Sequence, residues 1–159
     1  MMRFLWLSLV IIVLDQATKI WIDSSLTLHD RVPVIHGFFD LMKAYNEGAA
    51  FSFLAGQDGW QRWFFTGLST IISIALLIWL RRLPPSHLWT ALAISLVIGG
   101  AVGNLVDRVA HGHVVDFLLF YVDPWYWPSF NIADSAISIG VVILIITELF
   151  GLDKKREAA

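Results

Sequence analysis

The chain of 159 residues contains no cysteine. That absence removes a disulfide scaffold, a thiolate metal site and a cysteine nucleophile together. Charge is scarce too: Asp, Glu, Lys and Arg make up 15% of the residues, against about 25% in a soluble domain. The net charge of −2 leaves no basic excess of the kind a nucleic-acid binder carries, so no nucleic-acid partner is expected. Apolar residues take the place of charge, at 57% of the sequence with a mean hydropathy of +0.69. These values describe an integral membrane protein, and the length suits one membrane domain over 1–159.

Four runs are long enough to span a hydrocarbon core, which takes roughly 20 mainly apolar helical residues. They cover about 4–22, 63–80, 88–106 and 132–150. Helices satisfy their own backbone and are the expected form of such runs. The first run follows Arg3 as in a signal peptide, but no small-x-small cleavage site comes after it. Asp15 and Lys19 come instead, so it reads as an uncleaved anchor.

Orientation follows the basic residues of the short connections. Arg3, Arg81, Arg82, Lys154, Lys155 and Arg156 fall on one side. Arg31, Lys43, Arg62 and Arg108 are spread over two longer connections on the other. Both termini are therefore expected in the cytoplasm, with 151–159 as a solvated tail and the connections 23–62 and 107–131 outside. Those connections hold the β-prone segments "VPVIHGFFDLMKAYN" and "HVVDFLLFYV", and "PWYWP" suits an interfacial aromatic belt. The expected fold is an all-α integral membrane protein: four transmembrane helices with a small strand-rich element on the outer, periplasmic side.

Ionisable groups inside spans are functional candidates, since each costs at least ~2.5 kcal/mol near a helix centre. At ~1.5 Å per residue, Asp15, Lys19 and Asn104 lie ~17, ~22 and ~24 Å above the inner edge, and Asp134 lies ~3 Å below the outer edge. All fall in the outer half, as members of one site would. Asp15 and Lys19, four apart, share a helix face and form either a structural ion pair or a brace for a neighbouring site. In "GGAVGNLVDR" the glycines suit close helix packing and Asn104 a helix end. In "FNIADS", Asn131 and Asp134 fit a capping box. Asp116, in "HVVDFLLF", is a second carboxylate with apolar neighbours on both sides. Two carboxylates in one partly dry site cannot both ionise cheaply. Such a pair hydrolyses amides, one member activating water and the other polarising the carbonyl.

Three other readings compete. A Ser–Lys protease would use Lys19 with Ser52 or Ser135, though Asp15 one turn away favours the charged lysine. A metal hydrolase would draw on His111, His113 and Asp116, without any further ligand motif. A proton- or ion-coupled transporter component would need polar groups at both depths, and the second and third runs have no charge in their inner halves.

Five blocks carry a resemblance: "DQATK" (15–19), "YNEGAAFS" (45–52), "GGAVGNLVDR" (99–108), "GHVVDF" (112–117) and "FNIADS" (130–135). In order and hydropathy the chain resembles lipoprotein signal peptidases (signal peptidase II), the bacterial intramembrane aspartyl proteases. The resemblance implies removal of the signal peptide from a diacylglyceryl-modified prolipoprotein, just before the lipidated cysteine, in the bacterial inner membrane. It implies Asp116 and Asp134 as catalytic dyad, with Asn46, Asn104, Arg108 and Asn131 around it and Asp15 and Lys19 in support. Membrane lipid surrounds the site, and neither a metal nor another cofactor is implied. The segment 48–56 is expected to close over the substrate.

Overall fold

A computed structural model describes residues 1–48 and 60–153. After one 3-10 turn at Met2–Phe4, the helices are α1 (Leu5–Ser25), α2 (Trp60–Arg82), α3 (Leu88–Ala110) and α4 (Ile132–Phe150). All four are long and apolar enough to cross a membrane. Strands β1 (Arg31–Ile35), β2 (Phe39–Asn46), β3 (Val114–Val122) and β4 (Trp125–Tyr126) pair antiparallel in chain order. The architecture is the expected one, four membrane helices and a small sheet built from the two β-prone segments. Of the expected closing segment, residues 49–56, with Phe51, Ser52 and Phe53, lie outside the described residues.

Helix α3 is the hub and packs against each of the other three helices. Its glycines make this possible, as the sequence suggests. A Cβ added at Gly99 would stand 2.9 Å from the Ile11 Cβ and 3.0 Å from the Ser8 backbone of α1. One added at Gly100 would overlap the Ala133 carbonyl of α4. Small residues let helix backbones approach where lipid supplies no hydrophobic drive. At the end near Met1, Leu80, Ala91, Ile94 and Ile98 form a buried cluster that also takes in Phe4 and Leu5. The outward faces keep Leu9, Val13, Ile71, Ile74, Val142 and Leu149 exposed, as lipid-facing helices do.

Helix ends are closed by side chains from elsewhere in the fold. Asp153 accepts from the Thr90 amide at 3.0 Å and its hydroxyl at 2.7 Å, at the start of α3. There the helix dipole favours an anion. Lys43 of β2 donates to the carbonyls of Asp23 (2.7 Å) and Leu26 (3.1 Å), which closes the end of α1 with a cation. Ile22, Leu26 and Ile132 then pack on Val115 and Phe117 of β3, seating the sheet above α1 and α4.

Three of the four helices run beyond the sequence reading: α1 continues to Ser25, and α2 covers Trp60–Arg82. The third helix runs four residues past Val106, so Asp107 and Arg108 are helical and Asn104 lies more than a turn inside the helix end. Asp107 is paired within the fold, as described next.

Candidate active site

The site lies where the sheet meets α1, α3 and the first turn of α4. That turn is set by a complete capping box. The Asn131 side chain accepts from the Asp134 amide at 2.9 Å, and Asp134 Oδ2 accepts from the Asn131 amide at 3.3 Å. A second carboxylate serves the same turn: Asp15 Oδ1 accepts from the Ala133 amide at 2.9 Å. Asp134 thus stands at the positive end of a helix.

Asp116 arrives on β3, with Ala44 of β2 opposite it. Strand residues two apart share a face, so Asn46 is a diagonal neighbour and donates through Nδ2 to Asp116 Oδ2 at 3.0 Å. Asn131 donates through Nδ2 to the other oxygen, Oδ1, at 2.7 Å. The side chain that caps Asp134 therefore also holds Asp116. Burial first, and then repulsion from Asp134, push the Asp116 carboxyl up to about 7 against the pull of the Asn46 and Asn131 amides.

Beneath the two carboxylates lies a buried ionic cluster. The Lys19 ammonium meets Asp15 Oδ2 at 2.8 Å, Asn104 Oδ1 at 2.8 Å and Asp107 Oδ2 at 2.7 Å. The last contact is an ion pair without the alignment of a hydrogen bond. Asn104 then donates through Nδ2 to Asp134 Oδ1 at 2.8 Å. The Asp15–Lys19 pair forms, and it also braces: its members reach α3 and α4 as well as each other.

Asn46, Asn104 and Asn131 follow one rule. Each has its oxygen occupied by a donor, respectively the Gly48 amide (2.9 Å), Lys19 and the Asp134 amide. Each amide nitrogen is thereby turned toward a carboxylate. Three neutral groups supply directed donors without adding charge to a buried place.

Arg108, in the last turn of α3, places its charge near Asp134, Asp116 and Asp107. Its guanidinium lies over the Phe65 ring at 5.5 Å. All eight residues singled out from the sequence therefore gather in one region.

Two members went unnoticed. Asp107, expected in the outer connection, is buried and paired with Lys19. Gln16 donates to Asp107 Oδ1 at 2.9 Å and reaches the Gly103 carbonyl at 3.2 Å. The available signal was spacing: Asp107 follows Asn104 by three residues, hence on one helix face. Gly103 is needed at the same spot, since a Cβ there would stand 2.7 Å from Asp15 Oδ2.

The groups of the competing readings are otherwise engaged. Ser135 Oγ donates to the Asn131 carbonyl at 2.9 Å, and Lys19 is enclosed by its three oxygens, so they form no Ser–Lys dyad. Ser52 lies outside the described residues. The His113 ring packs on Tyr45, 3.9 Å between centroids, with the His111 ring 6.1 Å away.

A family model described as signal peptidase (SPase) II matches residues 7–150. The chain is 49% identical over 157 residues to a lipoprotein signal peptidase of Pseudomonas putida, covering 98% of this chain and 91% of that protein. It is 52% identical over 147 residues to one of Xylella fastidiosa, covering 92% and 88% respectively. A bacterial membrane enzyme solved by the in meso method superimposes with a TM-score of 0.85 at 34% identity, covering 98% of this chain and 92% of that one.

Proposed function

The chain belongs to the signal peptidase II family, and on that premise we propose that it is an aspartyl endopeptidase in which Asp116 and Asp134 are the catalytic pair. Family membership makes it a multi-pass membrane protease of lipoprotein processing, with a prolipoprotein as substrate. The bond cut is the peptide bond just before the diacylglyceryl-modified cysteine. The observation that carries this reading is the double role of Asn131, whose one side chain donates to the Asp116 carboxylate at 2.7 Å and accepts from the Asp134 backbone amide at 2.9 Å, while its own backbone amide donates to the Asp134 carboxylate at 3.3 Å.

The more buried member, Asp116, holds the proton, and Asp134 is the base. Asp134 takes a proton from water as the oxygen attacks the scissile carbonyl, and Asp116 gives its proton to the carbonyl oxygen. In the second step Asp134 returns its proton to the departing nitrogen. Asp116 recovers one from the tetrahedral carbon's hydroxyl as the C–N bond breaks. The signal peptide leaves with a new carboxyl group, the lipidated cysteine with a free amine, and the pair regains its starting state.

Asn46, Asn104 and Asn131 hold the two carboxylates in register, Asp15 and Lys19 fix the frame, and Arg108 faces the substrate. Membrane lipid is the surrounding medium, and no nucleic acid takes part. Met1–Arg3 sit beside Pro85 of the α2–α3 connection, which supports placing Arg3, Arg81 and Arg82 together on the cytoplasmic side. The deciding experiment is a gel-shift assay on a purified diacylated prolipoprotein. The parent should convert it, while Asp116→Asn and Asp134→Asn, folded and membrane-inserted, should leave it intact. Turnover by either variant would remove the dyad.

A further inference from the structure

One turn of α2 holds Arg108 at both ends. Arg62 Nε donates to the Arg108 carbonyl at 2.8 Å, and Arg62 Nη2 to the Val109 carbonyl at 2.9 Å. These carbonyls belong to the last turn of α3, where intrahelical partners run out. Three residues further along α2, and so on the same face, the Phe65 ring lies 5.5 Å from the Arg108 guanidinium carbon. Arg62 thus grips the backbone of Arg108 while Phe65 supports its charge through the ring face.

The surroundings are shaped to this grip. Gly112, in the turn between α3 and the strand bearing Asp116, has φ +85°, and a Cβ there would come within 3.2 Å of Arg62 Nη1. Gly48, two residues past Asn46, presses so closely on Phe65 that a Cβ would stand 2.5 Å from the ring. The segment that carries Asp116 and the one that carries its partner Asn46 therefore both pass against the same turn of α2. Arg108 Nε is buried and has no hydrogen-bond partner among the described residues. Its charge is directed at Asp134, Asp116 and Asp107. A guanidinium held this way keeps donor capacity that the described residues do not use.

We propose that Arg62 and Phe65 are positioning residues for the cleavage reaction: they fix the Arg108 guanidinium beside the carboxylate pair, where it meets the peptide being cut. The inference rests on the dyad reading above. A plain end-cap for α3 would instead stabilise the helix whatever stands at position 108, and that difference makes the two roles separable.

The test measures kcat and KM on a diacylated prolipoprotein for Arg62→Gln, Phe65→Leu and Phe65→Tyr, each alone and combined with Arg108→Lys. Arg62→Gln and Phe65→Leu should each lower kcat/KM by about 10- to 100-fold, the scale of a small misplacement near the reacting atoms. Phe65→Tyr, which keeps the ring, should stay close to the parent. In the Arg108→Lys background the same changes should cost less than about twofold, because residues that act through one partner are not additive. If Arg108→Lys turns over too slowly, affinity of the prolipoprotein for the Asp116→Asn form gives the same comparison. Equal losses in both backgrounds, full activity of Arg62→Gln and Phe65→Leu, or losses that track the folded fraction would overturn the proposal. Turnover surviving in Asp116→Asn or Asp134→Asn would instead strike the dyad, so the two failures are distinct.

Discussion

Lys19 donates to Asn104 Oδ1 at 2.8 Å, and that bond decides which end of the Asn104 amide Asp134 meets. An ammonium has donors only, so the amide must present its oxygen to Lys19 and its nitrogen to the carboxylate. The cation on α1 thereby sets the geometry of a carboxylate on α4 through a side chain of α3. Replacing Lys19 by Met removes this control and leaves Asp15 and Asp107 buried without their shared cation. Removing one partner of a buried pair costs about 3–5 kcal/mol. Lys19→Met should therefore unfold at lower temperature in detergent and lose turnover. Lys19→Arg should restore little, since a planar fork cannot present its donors to three oxygens as an ammonium does.

Position 131 separates stability from catalysis. Asn131→Ser keeps a good N-cap oxygen but loses the amide that holds Asp116, whereas Asn131→Ala loses both. N-cap removal costs about 1 kcal/mol. Asn131→Ser should therefore melt near the parent temperature, with Asn131→Ala lower. Both should lose kcat by roughly 100-fold, the scale expected when a reacting group is displaced by about 1 Å. Restored turnover in the serine variant would assign Asn131 to capping alone.

The proton on Asp116 gives a pH dependence with a definite sign. Its carboxyl is raised from 3.8 to about 7, by burial and then by the charge of Asp134. Between those values the native state binds a proton that the unfolded chain releases. The stabilising contribution is thus full below about pH 4 and is lost as pH rises through about 7. Turnover should fall on the alkaline side of the same range, as the acid member is deprotonated. Asp134→Asn removes one raising cause, so the Asp116 carboxyl band, followed by infrared spectroscopy on aspartate-labelled protein, should titrate lower than in the parent. An unmoved band would show that the two carboxylates do not sense each other.

Much of this architecture is legible in the sequence, because lipid imposes simple rules. A run of apolar residues has one economical backbone form in a membrane. Polar residues at a common depth must also find one another or remain unsatisfied. The capping box of Asn131 and Asp134 is readable for a local reason, since its partners are three residues apart. Asp107 was misplaced for the opposite reason. A charged residue following Val106 looks like the end of an apolar run, and only the fold shows Lys19 reaching across from α1. The contacts of Arg62 are hidden in the same way, because its partners are backbone carbonyls 46 and 47 positions away, which no motif records. Contacts made across helices, and those made to backbone, are the ones that a linear pattern does not display.

The absence of cysteine makes the topology testable. A chain without cysteine accepts single reporters with no background labelling. His36 lies in the exposed turn between β1 and β2, and Ser86 in the connection between α2 and α3. These two positions fall on opposite sides if the basic residues Arg3, Arg81 and Arg82 mark the cytoplasm. His36→Cys should react with a membrane-impermeant maleimide added to intact spheroplasts. Ser86→Cys should react only after the membrane is opened. Both variants should keep turnover, because neither residue touches the carboxylate network. Labelling of position 86 from outside would invert the protein and place the sheet, with Asp116 on it, on the cytoplasmic side.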